Sequence, residues 1–163
     1  MHHPSLKPAT RLNFRLERWH RRVLYLLLGL LLISGLLWLW AHYFLTGVND
    51  FGTIMSPLEH WSMQLHGAIV FPFSFIVGSL LLQHMRRAHK AGANRVSGWS
   101  MVALLSILAL TGYGLYYLAS EESRPWWSLI HWLLGCSLPI LICLHILLGR
   151  RTVAFAKQAT NHD

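Results

Sequence analysis

Four long apolar runs dominate the chain, and short polar segments separate them. They cover residues 23–45, 61–82, 99–119 and 126–149, and they hold 23, 22, 21 and 24 residues. A helix needs roughly 20 apolar residues to cross the hydrocarbon of a bilayer. None of the four runs contains Lys, Arg, Asp or Glu, whereas a buried helix of a soluble protein normally keeps a polar face. The pattern therefore predicts four transmembrane helices.

Short loops between the runs indicate one domain, an all-α bundle of four transmembrane helices with up-down-up-down topology. Residues 1–22 form a basic N-terminal segment, residues 23–149 the transmembrane domain and residues 150–163 a C-terminal tail. The longest loop, residues 46–60, is long enough for a short surface helix.

The overall composition supports a membrane protein. The chain has 163 residues, of which 54% are hydrophobic and only 12% are charged, against about 25% charged in soluble domains. A disordered chain would be much less apolar. Two cysteines are too few for a disulfide-stapled secreted fold, and their angular positions on the fourth helix indicate buried packing residues.

The basic residues are divided unevenly between the two sides of the predicted bundle. Thirteen of the 14 Lys and Arg residues lie in the N-terminal segment, the middle loop and the C-terminal tail, and only Arg124 lies in the other two loops. Cytoplasmic loops of membrane proteins carry such an excess. We therefore expect both termini in the cytoplasm. The net charge of +8 then reflects topology and some affinity for anionic lipid, so we expect no nucleic-acid partner.

Histidine outnumbers all acids together, with 11 His against 6 Asp and Glu, and some histidines fall inside the apolar runs. Ionisable residues at membrane depth are costly and usually functional. His131 and His145 are fourteen residues apart, so they share one face of a helix at about 21 Å axial separation. Gly135 and Gly149 follow them by four residues each and leave room for a flat porphyrin. The alternative role for the two histidines is hydrogen bonding between helices.

A six-coordinate haem needs a second ligand from another helix. For the outer site His66 is the best match, because it lies five residues inside the second run, at the depth of His131; His42 and His60, closer to the surface, are the alternatives. For the inner site His20 and His84 compete, and geometry alone does not choose between them.

The segment RWHRRVLYLLLGLLLISGL, residues 18–36, resembles the first helix of bacterial di-haem cytochromes b of the cytochrome b561 type. The segments LTGYGLYY, RPWWSLIHWLLG and LHILLGRR also look like small membrane proteins related to such cytochromes. The resemblance implies two haem b groups in a bacterial inner membrane. It implies His20 with His145 as axial ligands of the inner haem and His66 with His131 as axial ligands of the outer haem, with His84 as the alternative inner ligand.

The resemblance implies electron transfer from the quinol pool to a periplasmic redox protein such as a c-type cytochrome. The chain would act by itself, as a homodimer or as a subunit of a larger oxidoreductase. Tyr113, Tyr116 and Tyr117 are candidates to line a quinol site or to anchor the helix at the interface. The competing hypotheses are a His-based transition-metal transporter or sensor and a cofactor-free membrane scaffold. The sequence places all six acids outside the predicted spans, which disfavours ion-coupled transport.

Overall fold

A computed structural model describes residues 17–49, 52–81, 85 and 95–160. Four helices occupy this part of the chain: α1 (Arg18–Phe44), α2 (Pro57–Leu80), α3 (Arg95–Tyr117) and α4 (Arg124–Thr160). Each is long and apolar enough to cross a membrane, so the prediction of four membrane-length helices is confirmed. Most of the N-terminal segment 1–22 and the end of the tail 150–163 lie outside the described residues, as does His84.

The loop between α1 and α2 differs from the sequence prediction. The expected surface helix is absent from its described residues, which instead form a two-stranded antiparallel hairpin of β1 (Gly47–Asn49) and β2 (Gly52–Ile54). Gly52 has a φ of 120°, a conformation that residues with a Cβ rarely adopt. A glycine that begins the second strand therefore allows the chain to reverse within a few residues.

Helix α2 begins earlier than its apolar run because its first turn carries capping residues. The Ser56 hydroxyl accepts a hydrogen bond from the backbone N–H of Glu59 at 3.2 Å, and Pro57 occupies the first helical position. Glu59 therefore lies inside the helix and is only 2% exposed. The expectation that every acid lies outside the spans is wrong for this residue.

The helices pack as two antiparallel pairs, α1 with α2 and α3 with α4. In the first pair Ser34 of α1 contacts His66 of α2, and His42, later in α1, contacts Glu59, earlier in α2. The two helices therefore run in opposite directions. In the second pair Ser97 and Thr111 contact His145 and His131 in the same descending order. Contact between the two pairs is much sparser than contact within them.

The outer surface of the bundle is apolar. Large side chains such as Phe71 and Phe75 are about four-fifths exposed, at 80% and 78%. Such a surface is typical of helices that face lipid rather than water. Cys136 and Cys143 are also exposed, so the expectation that they are buried packing residues is wrong.

Gly114 of α3 packs closely against Trp127 of α4. A Cβ at position 114 would lie 2.5 Å from the Cζ3 atom of the indole, so only glycine fits there without a shift of the ring. Two helices can approach each other this closely only where a small residue on one helix lies opposite the large residue on the other. This contact brings α3 and α4 together near the loop that joins them.

We predict that Gly114→Ala lowers the free energy of unfolding by about 1–3 kcal/mol, the usual cost of overpacking. The measurement is the thermal unfolding midpoint in detergent, followed by circular dichroism. Gly29→Ala is the matched control because a Cβ there would meet no atom within 4 Å. A stability equal to that of the control would contradict the packing role of Gly114.

Candidate functional site

His66 lies in α2, and its ring is held by a serine of α1. The imidazole Nδ1 is 2.9 Å from Oγ of Ser34, a side chain with no exposed surface. The Ser34 hydroxyl donates its own proton to the carbonyl of Leu31 at 3.0 Å. In the tautomer with the hydrogen on Nδ1, the hydroxyl oxygen accepts from the imidazole while its own proton goes to Leu31, and Nε2 keeps its lone pair.

His131 lies in α4, and a threonine of α3 holds it in the same way. Its Nδ1 is 2.8 Å from Oγ1 of Thr111, and this hydroxyl donates to the carbonyl of Ile107 at 2.9 Å. The same tautomer of His131, with the hydrogen on Nδ1, satisfies both bonds of the Thr111 hydroxyl and leaves the lone pair on Nε2. A hydrogen bond on one ring nitrogen that fixes the other nitrogen as a ligand is the usual arrangement around metal-binding histidines.

The rings of His66 and His131 meet in an edge-on arrangement across the two helix pairs. Their centres are 6.3 Å apart and their planes are inclined by 78°. Two imidazoles that ligate one metal ion from opposite sides, each through a nitrogen at about 2 Å, have ring centres about 6 Å apart. The separation of the His66 and His131 rings therefore equals the one that a single metal ion bound by both would require.

The number of candidate ligands around His66 and His131 bears on the kind of metal that they could hold. Among residues 17–49, 52–81, 85 and 95–160, no group of three or more His, Cys, Asp and Glu side chains is placed to hold a metal ion. A bare zinc or copper ion normally takes three or four protein ligands. An iron in a porphyrin needs only its axial ligands from the protein.

Glycines stand beside both rings, and they belong to the neighbouring helices. A Cβ at Gly35 would lie 3.5 Å from Cε1 of His66, and a Cβ at Gly112 would lie 3.4 Å from Cε1 of His131. Each follows the hydroxyl residue that binds the same ring. Gly135 instead stands opposite Leu108, with a Cβ at 4.0 Å, so its role beside a porphyrin stays a prediction, as does that of Gly149.

The third predicted ligand, His145, is held like the other two. Its Nδ1 is 3.0 Å from Oγ of Ser97, which is 9% exposed and followed by Gly98. Ser97 and Thr111 are fourteen residues apart on α3, the same spacing that separates His145 from His131 on α4. The α3 and α4 pair therefore carries two hydroxyl-held imidazoles at two depths.

The choice of the fourth ligand stays open. His20 lies in the first turn of α1, where its Nδ1 is 3.6 Å from Oε2 of Glu17 and its ring is 4.0 Å from that of Trp19. His84, the alternative, lies outside the described residues. The structure thus brings His66 and His131 together. His20 and His84 both stay candidates for the partner of His145.

The tyrosines of α3 are surface residues. Tyr113, Tyr116 and Tyr117 are between 57% and 72% exposed, and the rings of Tyr113 and Tyr117 are 4.6 Å apart. Such exposure at a helix end is typical of interfacial anchors. Of the two roles that the sequence leaves open for them, the structure favours anchoring.

The sequence interpretation missed the hydroxyl residues and one ion pair. Five polar side chains are buried among the described residues: Ser34, Glu59, Ser62, Ser97 and Thr111. Three of them hold the predicted ligands, and Glu59 contacts His42, with Oε1 2.7 Å from Nδ1. A Ser-Gly or Thr-Gly dipeptide inside or directly before an apolar run was the available signal for the three hydroxyl partners.

We compared the chain with protein-family models, with curated proteins and with solved structures, and none of these comparisons gave a match.

Proposed function

We propose that this protein is a membrane cytochrome b that carries two haem groups and transfers electrons across a bacterial inner membrane. The observation that carries the proposal is the edge-on pair of His66 and His131, whose ring centres are 6.3 Å apart. Each of these imidazoles is held through Nδ1 by a buried hydroxyl, which leaves both Nε2 atoms available as ligands.

The haem would supply one-electron redox chemistry at its iron. His66 and His131 would hold it from α2 and α4, and Ser34 and Thr111 orient the two rings. With His66 and His131 both bound to the iron, no position would be left for oxygen, and electron transfer would be favoured. The apolar surroundings exclude water and help to set the redox potential.

The second haem belongs to the other end of α4. His145 is held by Ser97 and lies fourteen residues from His131, about 21 Å along the helix axis. His20 or His84 supplies the opposite ligand. Two centres at two depths make a path for electrons through the bilayer.

The direction of the chain in the membrane follows from its charge. With thirteen basic residues on one side, both termini face the cytoplasm and the bundle runs up-down-up-down. The His66 and His131 pair then lies in the periplasmic half, and His145 lies in the cytoplasmic half. Quinol is the electron donor in this proposal, and a periplasmic redox protein such as a c-type cytochrome is the acceptor.

We predict that the purified full-length protein is coloured and shows a reduced-minus-oxidised spectrum of haem b, with two haems per polypeptide. His131→Ala and His145→Ala are each expected to remove one redox centre, because each variant loses an axial ligand of a different haem. His60→Ala is the matched control, since His60 contacts Gln64 rather than a second imidazole. A colourless protein with native helix content would overturn the proposal.

We predict that substitution of the hydroxyl residues weakens haem binding, but less than loss of a histidine does. Ser34→Ala and Thr111→Val leave the imidazole N–H without a partner, and loss of such a partner typically weakens metal binding by about 10- to 100-fold. The measurement is haem retention during dilution, together with the midpoint potential of the outer centre.

Ser137→Ala is the control for these hydroxyl variants, because the Ser137 hydroxyl bonds only to the carbonyl of Leu134 on its own helix. Haem retention and a midpoint potential in Ser34→Ala equal to those of Ser137→Ala would show that the hydroxyl does not orient the ligand.

A further inference from the structure

A buried carboxylate lies two turns from His66 on the same helix. Glu59 is 2% exposed, and its Oε1 is 2.7 Å from Nδ1 of His42. Its other oxygen, Oε2, is buried and has no hydrogen-bond partner within the part of the chain that the structure describes. A carboxylate in apolar surroundings is costly when one oxygen stays unpaired, and binding a proton there removes the cost of the charge.

His42 lies between this carboxylate and the surface of the bundle. Its side chain is 44% exposed while that of Glu59 is 3% exposed, so the imidazole is the outer member of the pair. Trp38 stacks on the imidazole with ring centres 4.8 Å apart, and Tyr43 contacts its edge at 5.1 Å. These two aromatic rings keep the imidazole against the carboxylate.

The pair lies in the same helix interface as the outer ligand. Glu59, Ser62 and His66 follow one another at spacings of three and four residues, which places them on one face of α2. Seven residues correspond to about 10 Å along the helix. Unit charges about 10 Å apart, at an effective dielectric constant of about 20, shift each other's equilibria by roughly tenfold.

Other titratable groups near this pair are engaged elsewhere. His60 contacts Gln64 at 3.0 Å, and Tyr43 contacts only the ring edge of His42 among its described interactions. On the neighbouring helix pair the tyrosines of α3 contact one another, and Arg124 donates to the carbonyls of Leu115 and Ala119. Among the described residues, His42 is the titratable side chain in contact with Glu59.

We propose that Glu59 and His42 form a proton-binding site linked to the redox state of the centre held by His66 and His131, an inference that rests on the proposed function. One electron from a quinol or another reductant enters the centre, and one proton from water binds at the pair. The added electron lowers the positive charge at the centre by one. Proton binding is then tighter in the reduced state, so the midpoint potential falls as the pH rises.

The test is an equilibrium redox titration of the full-length holoprotein in detergent, with mediators, from acidic to alkaline pH. For the native chain we expect the midpoint potential of the outer centre to fall by about 59 mV between two plateaus. For a one-electron couple this corresponds to a roughly tenfold difference in proton affinity between the oxidised and reduced states. Glu59→Gln keeps the shape of the side chain but cannot titrate, so its midpoint potential should not change over the same pH range.

Glu121→Gln is the matched control, because it removes one acid from the exposed loop between α3 and α4 and should keep the native pH dependence. His42→Gln should slow proton exchange or shift the plateaus. An unchanged pH dependence in Glu59→Gln, in protein that still binds two haems, would overturn the linkage while leaving the proposed function intact.

A second readout does not need the redox centre. The infrared band of a protonated carboxylic acid should appear in the native protein as the pH falls and be missing in Glu59→Gln. If the protein is colourless, the proposed function and the redox linkage both fail, and this band alone decides whether Glu59 binds a proton. If the band is the same in both proteins, Glu59 is not the proton-binding group.

Discussion

The hydrogen bond between a buried hydroxyl and an imidazole Nδ1 is the interaction on which the rest of this structure depends. In surroundings without water each polar group needs a partner inside the protein. His66, His131 and His145 each find one on the adjacent helix, at 2.9, 2.8 and 3.0 Å. Since a shift of one residue along a helix would separate every such pair, these bonds set the register of both helix pairs. The same bonds direct Nε2 away from the hydroxyl, which makes the rings suitable as ligands.

The two helix pairs are each well packed inside and only loosely connected to each other. Contacts are dense between α1 and α2 and between α3 and α4, whereas contact across the pairs is sparse and includes the rings of His66 and His131. Each pair therefore contributes half of a site. A prosthetic group ligated from both halves would connect them, so its binding would contribute to the stability of the folded bundle as any ligand of the native state does.

The sequence was sufficient for the helices and for the histidine faces, because apolar run length and the 100° helical repeat determine both. The hydroxyl partners were harder to predict. Serines in apolar helices commonly bond to a carbonyl of their own helix, as Ser79 does with Ile76 at 2.7 Å, so residue type does not separate the two roles. The fourteen-residue spacing of Ser97 and Thr111 does separate them, once it is compared with that of the histidines on α4.

Glu59 shows a different limit of the sequence interpretation. An apolar run stops at the first charged residue, so the run that begins at Trp61 places Glu59 in the preceding loop. The helix begins earlier because Ser56 caps it and Pro57 opens it. Capping residues therefore predict the helix end better than hydropathy does. Burial of the acid then depends on His42, a partner seventeen residues away that no local pattern identifies.

Both helix pairs hold a histidine through a hydroxyl group, but the residues seven positions before these histidines differ. Glu59 precedes His66 by seven residues, and the residue that precedes His131 by seven is Arg124. Arg124 donates to the carbonyls of Leu115 and Ala119, and a guanidinium keeps its charge at every accessible pH. In the other pair the matching position holds an acid, and Glu59 is bound to His42. The α3 and α4 side therefore keeps a fixed positive charge where the α1 and α2 side has a carboxyl group paired with an imidazole.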